Sequence, residues 1–405
     1  MPDGLGRTGY RFRTSVMWRK RKMRVHLKND GYALSAEFPM TVFEMQDALD
    51  KLQIPPETRA VTFQIYDFRN MNLSSELCEK EFTADIFRLN LFVERLENLD
   101  DTEMAAMKSL LQTYPESDFE DMLLMTYGLD SVMVYPCEDC RELGETVIEN
   151  ELLPELENCS DEILELLDRE KVGQLMQERE GGVFVDGYYC VTSGYEPPDI
   201  HFEFGEPEQC FFRLLIAPDT QNTAQAGWIS LPCDMEILLE VYDQTCCELQ
   251  SSLPWITSDS LKNMHQIGIL NALAERMSEL SHNDFVKLKA VMDSKRIREI
   301  PDALACMEHL PEYEWDRSVR DCSEFGRAYL AKNLPTNFDI SLLKSGDFYD
   351  FGSQIMKQTG SAVTSYGVIS GRGQSLYSAL TMQPEQQLEE DLEEDFEMKI
   401  GGLSL

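Results

Sequence analysis

Leu89-Asn90-Leu91-Phe92-Val93-Glu94-Arg95-Leu96-Glu97-Asn98-Leu99 has a second version 181 residues later, Leu270-Asn271-Ala272-Leu273-Ala274-Glu275-Arg276-Met277-Ser278-Glu279-Leu280. Two more matches follow in the same order. Asp139-Cys140-Arg141-Glu142-Leu143-Gly144 pairs with Asp321-Cys322-Ser323-Glu324-Phe325-Gly326 at a spacing of 182, and Leu153-Pro154 with Leu334-Pro335 at 181. Ordered matches at near-constant spacing are the mark of an internal duplication. They define two related helical modules, at about 85–155 and 265–336.

Within the first module, Leu89, Phe92, Val93, Leu96 and Leu99 recur at three- and four-residue steps, so one helix face is apolar. Asp100 and Glu103 form a capping-box pair, which predicts a new helix that carries Met104, Met107, Leu110 and Leu111 inward. Ser281 and Asp284 repeat the signal ahead of Phe285, Leu288 and Val291. Thr41 and Glu44 predict a helix over 41–52, and the pattern predicts another over 160–177. Met23–Leu27 and Val61–Phe68 read as strands. Val183–Val185 and Tyr188–Val191, joined by Asp186-Gly187, read as a hairpin with a type I′ turn. Phe211–Ile216 is expected to be its neighbour.

The fold class is therefore α+β, expected as an elongated multidomain chain with small antiparallel β segments before and between the modules. The expected divisions are a basic extension at 1–22, a first α+β module at 23–180, a β-rich middle at 181–230, a second helical module at 231–345, and an irregular Gly/Ser region with an acidic tail at 346–405. Residues 1–22 read either as an upstream start or as a basic arm that a partner would order.

Charge is the strongest compositional signal. The 405-residue chain has 73 acids and 36 bases, a net charge of −37. Nine Lys/Arg and one acid fall in 1–28, so the remainder carries −45, roughly the charge of 22 base pairs of duplex DNA. Hydrophobic content of 43% excludes an acidic disordered chain and places the charge on folded surfaces. Eleven scattered cysteines, an odd number in a long chain, fit a reducing compartment, so a cytoplasmic protein is expected. No stretch approaches 18 apolar residues, and the basic start is not followed by an apolar core.

Motifs for chemistry are sparse. Cys137 and Cys140 have CxxC spacing without a second pair. The five histidines sit in no metal or nucleophile frame. Asp350-Phe351-Gly352 spells a kinase triplet without its companion motifs. No catalytic residue, cofactor or metal is therefore expected. What remains is two acidic runs. Asp100, Asp101, Glu103, Glu116, Asp118, Glu120 and Asp121 form the core of the first. Glu155, Glu157, Asp161 and Glu162 belong to the second. Carboxylates three or four residues apart on a helix project side by side, as phosphates do along a backbone. The alternative is a solvated face that keeps the chain soluble.

The repeated helix resembles the "LN-x-LA-x-R-x-x-x-L" segment of ArdA-type antirestriction proteins. Glu142/Gly144 and Glu324/Gly326, each followed by Leu-Pro, fit the same pattern. Tyr66-Asp67-Phe68 is a loose counterpart of the aromatic–acidic turn before that helix. The resemblance implies a non-enzymatic inhibitor from a mobile genetic element, acidic and commonly a homodimer. Such a protein imitates bent DNA in the groove of a Type I restriction–modification enzyme, with no direct contact to nucleic acid or membrane. The two acidic runs named above would be the partner-binding face. This chain differs in its length, its duplication and its β-rich middle. The competing expectation is an interaction or regulatory protein whose acidity serves solubility alone.

Overall fold

The computed structural model describes residues 23–55, 57–67, 73, 80–157, 159–205, 210–218, 225–335, 337–338, 342 and 348–377. Readings that fall on 1–22, Phe68 and 385–397 lie outside these residues. The chain is α+β and divides into two units, 1–209 with 250–254, and 210–249 with 255–405.

In the first unit, β1 (Met23–Asn29) and β2 (Tyr32–Phe38) form an antiparallel hairpin, followed by α1 (Val42–Lys51), β3 (Ala60–Asp67) and β4 (Phe82–Asp85). These strands make one sheet in the order β2-β1-β3-β4. Alternation places Val25, Leu27, Phe63 and Ile65 in the core. Then come α2 (Ile86–Glu97), α3 (Asp101–Thr113), α4 (Phe119–Met125), β5 (Met133–Tyr135), α5 (Cys140–Glu149), α6 (Asp161–Leu164), α7 (Arg169–Glu180), β6 (Val183–Val185) and β7 (Tyr188–Val191). The last strands form a second sheet, β5-β7-β6. Asp186 and Gly187 both have positive φ, 49° and 85°, as the type I′ turn demands. The expected capping boxes of α1 and α3 are present, and Leu89, Phe92, Val93 and Leu96 are buried.

The second unit contains β8 (Phe212–Ala217), β9 (Gly227–Leu231), α8 (Met235–Val241), β10 (Thr245–Ser251, up to residue 249), α9 (Ile267–Ser278), α10 (His282–Lys295), α11 (Ile300–Glu308), β11 (Trp315–Asp316), α12 (Cys322–Asn333), α13 (Phe348–Thr359), β12 (Ala362–Thr364) and β13 (Gly367–Ile369). Its sheets run β10-β8-β9 and β11-β13-β12.

Set side by side, the two units have the same order of elements, except that the second has no described counterpart of β4 and α6. The strand orders also correspond: β2-β1-β3 to β9-β8-β10, and β5-β7-β6 to β11-β13-β12. The repeated segment is thus larger than the two helical modules read from the sequence. Three details recur in it. A cis X-Pro bond follows β2 at Phe38-Pro39 and β9 at Leu231-Pro232. The buried Asn90 accepts from the Met40 N–H at 2.6 Å, and the buried Asn271 accepts from the Cys233 N–H at 2.9 Å, each one residue past that proline. Glycines let paired helices touch backbone to backbone. A Cβ on Gly173 would lie 1.8 Å from the Cys140 carbonyl oxygen, and one on Gly352 would lie 1.8 Å from that of Cys322.

Four expectations are corrected. The 160–177 helix is two helices, because Asp168 caps a new start by accepting from the Lys171 N–H, and Leu166 before it is 85% exposed. The strand at 212–217 is not a neighbour of the 183–191 hairpin; it pairs with β9, while the hairpin pairs with β5. The β-rich middle is therefore no segment of its own: its hairpin belongs to the first unit and β8–β9 to the second. Residues 348–369 are not irregular but form α13, β12 and β13, with Gly352 at the helix crossing and Gly367 (φ 117°) ending the hairpin turn.

Candidate functional site

The first acidic run is built by two helix starts. The Asp100 carboxylate accepts from the Glu103 N–H at 2.8 Å, and Glu103 accepts in return from the Asp100 N–H at 2.9 Å. Asp118 and Asp121 do the same for α4, at 2.9 and 3.2 Å. These carboxylates satisfy N–H groups that the helix leaves open, and they sit at the positive end of its dipole. The Glu103 N–H and the Thr102 hydroxyl hold the Asp100 carboxyl below its ordinary range. Glu120 pairs with Arg88 on α2 at 2.5 Å. Asp101 and Glu116 are exposed and cap nothing.

The second run lies beyond α5. Glu155 stands in a short 3₁₀ turn, Pro154–Leu156, and takes both guanidinium nitrogens of Arg179, which lower its pKa. Asp161 and Glu162 form the first turn of α6, and the Ser160 hydroxyl lowers Glu162. Glu157, Asp161 and Glu162 are exposed. Nine of the eleven acids stand at helix starts or in Arg pairs, and Glu116 and Glu157 lie in turns.

The second unit provides an internal comparison. At the 181-residue spacing, the capping acids Asp100, Glu103, Asp118 and Asp121 correspond to Ser281, Asp284, Glu299 and Asp302, all polar and all at the starts of α10 and α11. The other acids correspond to uncharged or weakly basic residues: Asp101 to His282, Glu116 to Ile297, Glu120 to Pro301. The α3–α4 connection Tyr114-Pro115-Glu116-Ser117 becomes Lys295-Arg296-Ile297-Arg298. Residues 23–209 with 250–254 have 42 acids and 13 bases, a charge of −29, whereas 210–249 with 255–377 have 22 acids and 15 bases, a charge of −7; with 1–22 (+6) and 378–405 (−7) included, the two units carry −23 and −14. One element order is therefore compatible with either charge.

No protein-family model and no curated protein matches the chain.

Other candidate chemistry resolves into structure. Among the described residues no group of His, Cys, Asp or Glu is placed to hold a metal ion. Cys137 is buried against the Thr146 hydroxyl, and Cys140 opens α5 beneath α7. Asp350-Phe351-Gly352 lies inside α13. An open hollow of about 430 Å³ in the second unit is bordered by Lys287, Tyr313, Trp315, Asp316, Lys332 and Tyr377. Its polar groups serve one another: the Tyr377 hydroxyl donates to Asp316 at 2.6 Å, and the Lys332 ammonium stands 3.4 Å from the Tyr377 ring centre. Among the described residues no helix is long and apolar enough to cross a membrane.

Proposed function

We propose that the chain is a non-enzymatic acidic decoy of DNA, and that it inhibits a DNA-handling defence enzyme, most simply a Type I restriction–modification enzyme, by occupying its DNA groove. The observation that carries this reading is the charge contrast between two units of like element order. If acidity served the fold, both would share it. Instead, the positions of the first run that cap helices stay polar in both units, and Asp101 and Glu116, which cap nothing, have His282 and Ile297 as counterparts. A charge of −29 equals that of roughly 14 base pairs of duplex. Carboxylates seated on lysines and arginines of the target release counterions much as phosphates do, so the gain is salt-sensitive.

The test uses purified Type I enzyme and its DNA substrate. Asp101→Asn, Glu116→Gln, Glu157→Gln and Asp161→Asn are combined in the full chain; all four side chains are exposed and none accepts a helix-capping hydrogen bond. The expected result is weaker inhibition with a shallower salt dependence and an unchanged circular dichroism spectrum. A folded quadruple variant that inhibits as strongly as the parent refutes the decoy.

A further inference from the structure

Helix α8 of the second unit carries apolar side chains into solvent. Met235 is 63% exposed, and Leu239, one turn on, is 70% exposed. Tyr242 continues the row, and Ile237 lies on the far side of the buried Leu238 and Val241. Glu236, Glu240 and Asp243 run along the outer edge of the row, all exposed. From Arg213 to Lys262 the chain has seven acids and no intervening base.

The first unit shows what the fold itself asks of this helix. Counting from the cis prolines Pro39 and Pro232, Met235, Ile237, Leu239 and Tyr242 correspond to Val42, Glu44, Gln46 and Leu49 of α1. There Glu44 closes the capping box, Gln46 is polar, and Leu49 is buried in one core with Leu52, Ile54 and Leu73. The second unit is twelve residues shorter between its proline and Asn271 than the first is between Pro39 and Asn90. A helix face bared by a shortening gains nothing in folding from new apolar residues, yet Glu44 and Gln46 have Ile and Leu as counterparts. Exposed apolar rows with a charged rim are the usual form of a protein-docking site.

We propose that this face of α8 docks a basic amphipathic helix of a partner protein. Apolar residues at three- and four-residue spacing would cover Met235 and Leu239, and flanking Lys or Arg would meet Glu236, Glu240 and Asp243. A second copy of α8 is the poorer occupant, because it would bring the same three carboxylates from each chain together. The inference rests on the exposed face of α8 and uses none of the acidic runs of the first unit.

The probe is a fluorescently labelled Leu/Lys helix of roughly 18 residues, with a scrambled isomer of equal charge as the control. Both are titrated with the full chain at about physiological ionic strength. The helix is expected to bind at least ~10-fold more tightly than its isomer, since burying two apolar side chains supplies that much. Met235→Ser with Leu239→Ser should abolish the preference while leaving binding of the scrambled peptide unchanged. Equal binding of the two peptides, or a preference that survives the double substitution, overturns the proposal. A dimer of the parent chain that the same substitutions dissociate assigns the face to a second copy and overturns it too.

Discussion

Gly352→Ala should destabilise the second unit, and its magnitude follows from one distance. The added Cβ would stand 1.8 Å from the Cys322 carbonyl oxygen and 2.9 Å from the Gly326 nitrogen. Ordinary contact begins at 3.4 Å, so α12 and α13 must part by roughly 1.6 Å. Phe325, Tyr329, Ile355 and Met356 share the core under this crossing and would lose contacts as the helices separate. Overpacking of this kind costs about 3–4 kcal/mol, offset by about 1 kcal/mol from the better helix propensity of alanine. A net loss of about 2–3 kcal/mol lowers the melting temperature of a unit this size by about 4–12 °C. In a Trp18→Phe background tryptophan emission reads the effect selectively, because the other three tryptophans, Trp228, Trp255 and Trp315, all lie in the second unit. Gly268→Ala is the matched control: it lies in α9, and its Cβ would meet nothing within 4 Å. That substitution should be neutral or stabilising by up to about 1 kcal/mol. A Gly352→Ala melting temperature equal to or above that of the control would refute the backbone crossing.

Three further outcomes follow from the same geometry. Raising salt from low to moderate concentration should stabilise the first unit more than the second, because −23 is screened in one and −14 in the other; the far-UV circular dichroism midpoint should rise while the tryptophan-detected one moves less. Asn271→Ala removes the acceptor of the Cys233 N–H and should cost about 1–3 kcal/mol in urea unfolding followed by tryptophan emission, and a loss below about 0.5 kcal/mol would contradict that role. Burial pushes the Cys306 thiol up to about 11, so iodoacetamide at mildly alkaline pH should leave it unmodified in the native chain while alkylating the exposed Cys247, as peptide mass mapping would show.

Local signals in the sequence carried far where one residue type had one job. The capping pairs at Thr41, Asp100 and Ser281 placed three helix starts within a residue, and Asp186-Gly187 placed a hairpin, because caps and type I′ turns are decided within four residues. Asp30-Gly31 is the same turn signal, with φ 40° and 86°, and marks the β1–β2 hairpin that reading strands alone overlooked. The full extent of the duplication was hidden for a different reason. Its strands and α13 keep only apolar pattern and a glycine, Gly173 against Gly352, and a lone glycine in a Ser/Thr-rich stretch reads as a loop. Only the crossing partner, Gly144 or Gly326, turns it into a helix contact. The site was legible as charge but not as roles. Capping acids and free acids look alike in a string, and hydrogen bonds to backbone N–H groups tell them apart.

That separation decides how much weight the acidity can bear. An acidic face is by default a solvated face, and a count of carboxylates cannot overturn this default. A corresponding helix pair that has discarded some of them can. Asp100, Glu103, Asp118 and Asp121 are explained by α3 and α4; Ser281 keeps the capping role at α10, whereas Glu299 at the start of α11 makes no side-chain cap and pairs with Lys262. Asp101 and Glu116 have no such task, and their counterparts are His282 and Ile297. Unequal charge on like frameworks requires a cause outside folding, and the cause must act on the first unit and not on the second. A partner with a basic groove is one such cause. A demand for solubility is not, because α8 meets that demand in the opposite way, by setting Met235 and Leu239 into water.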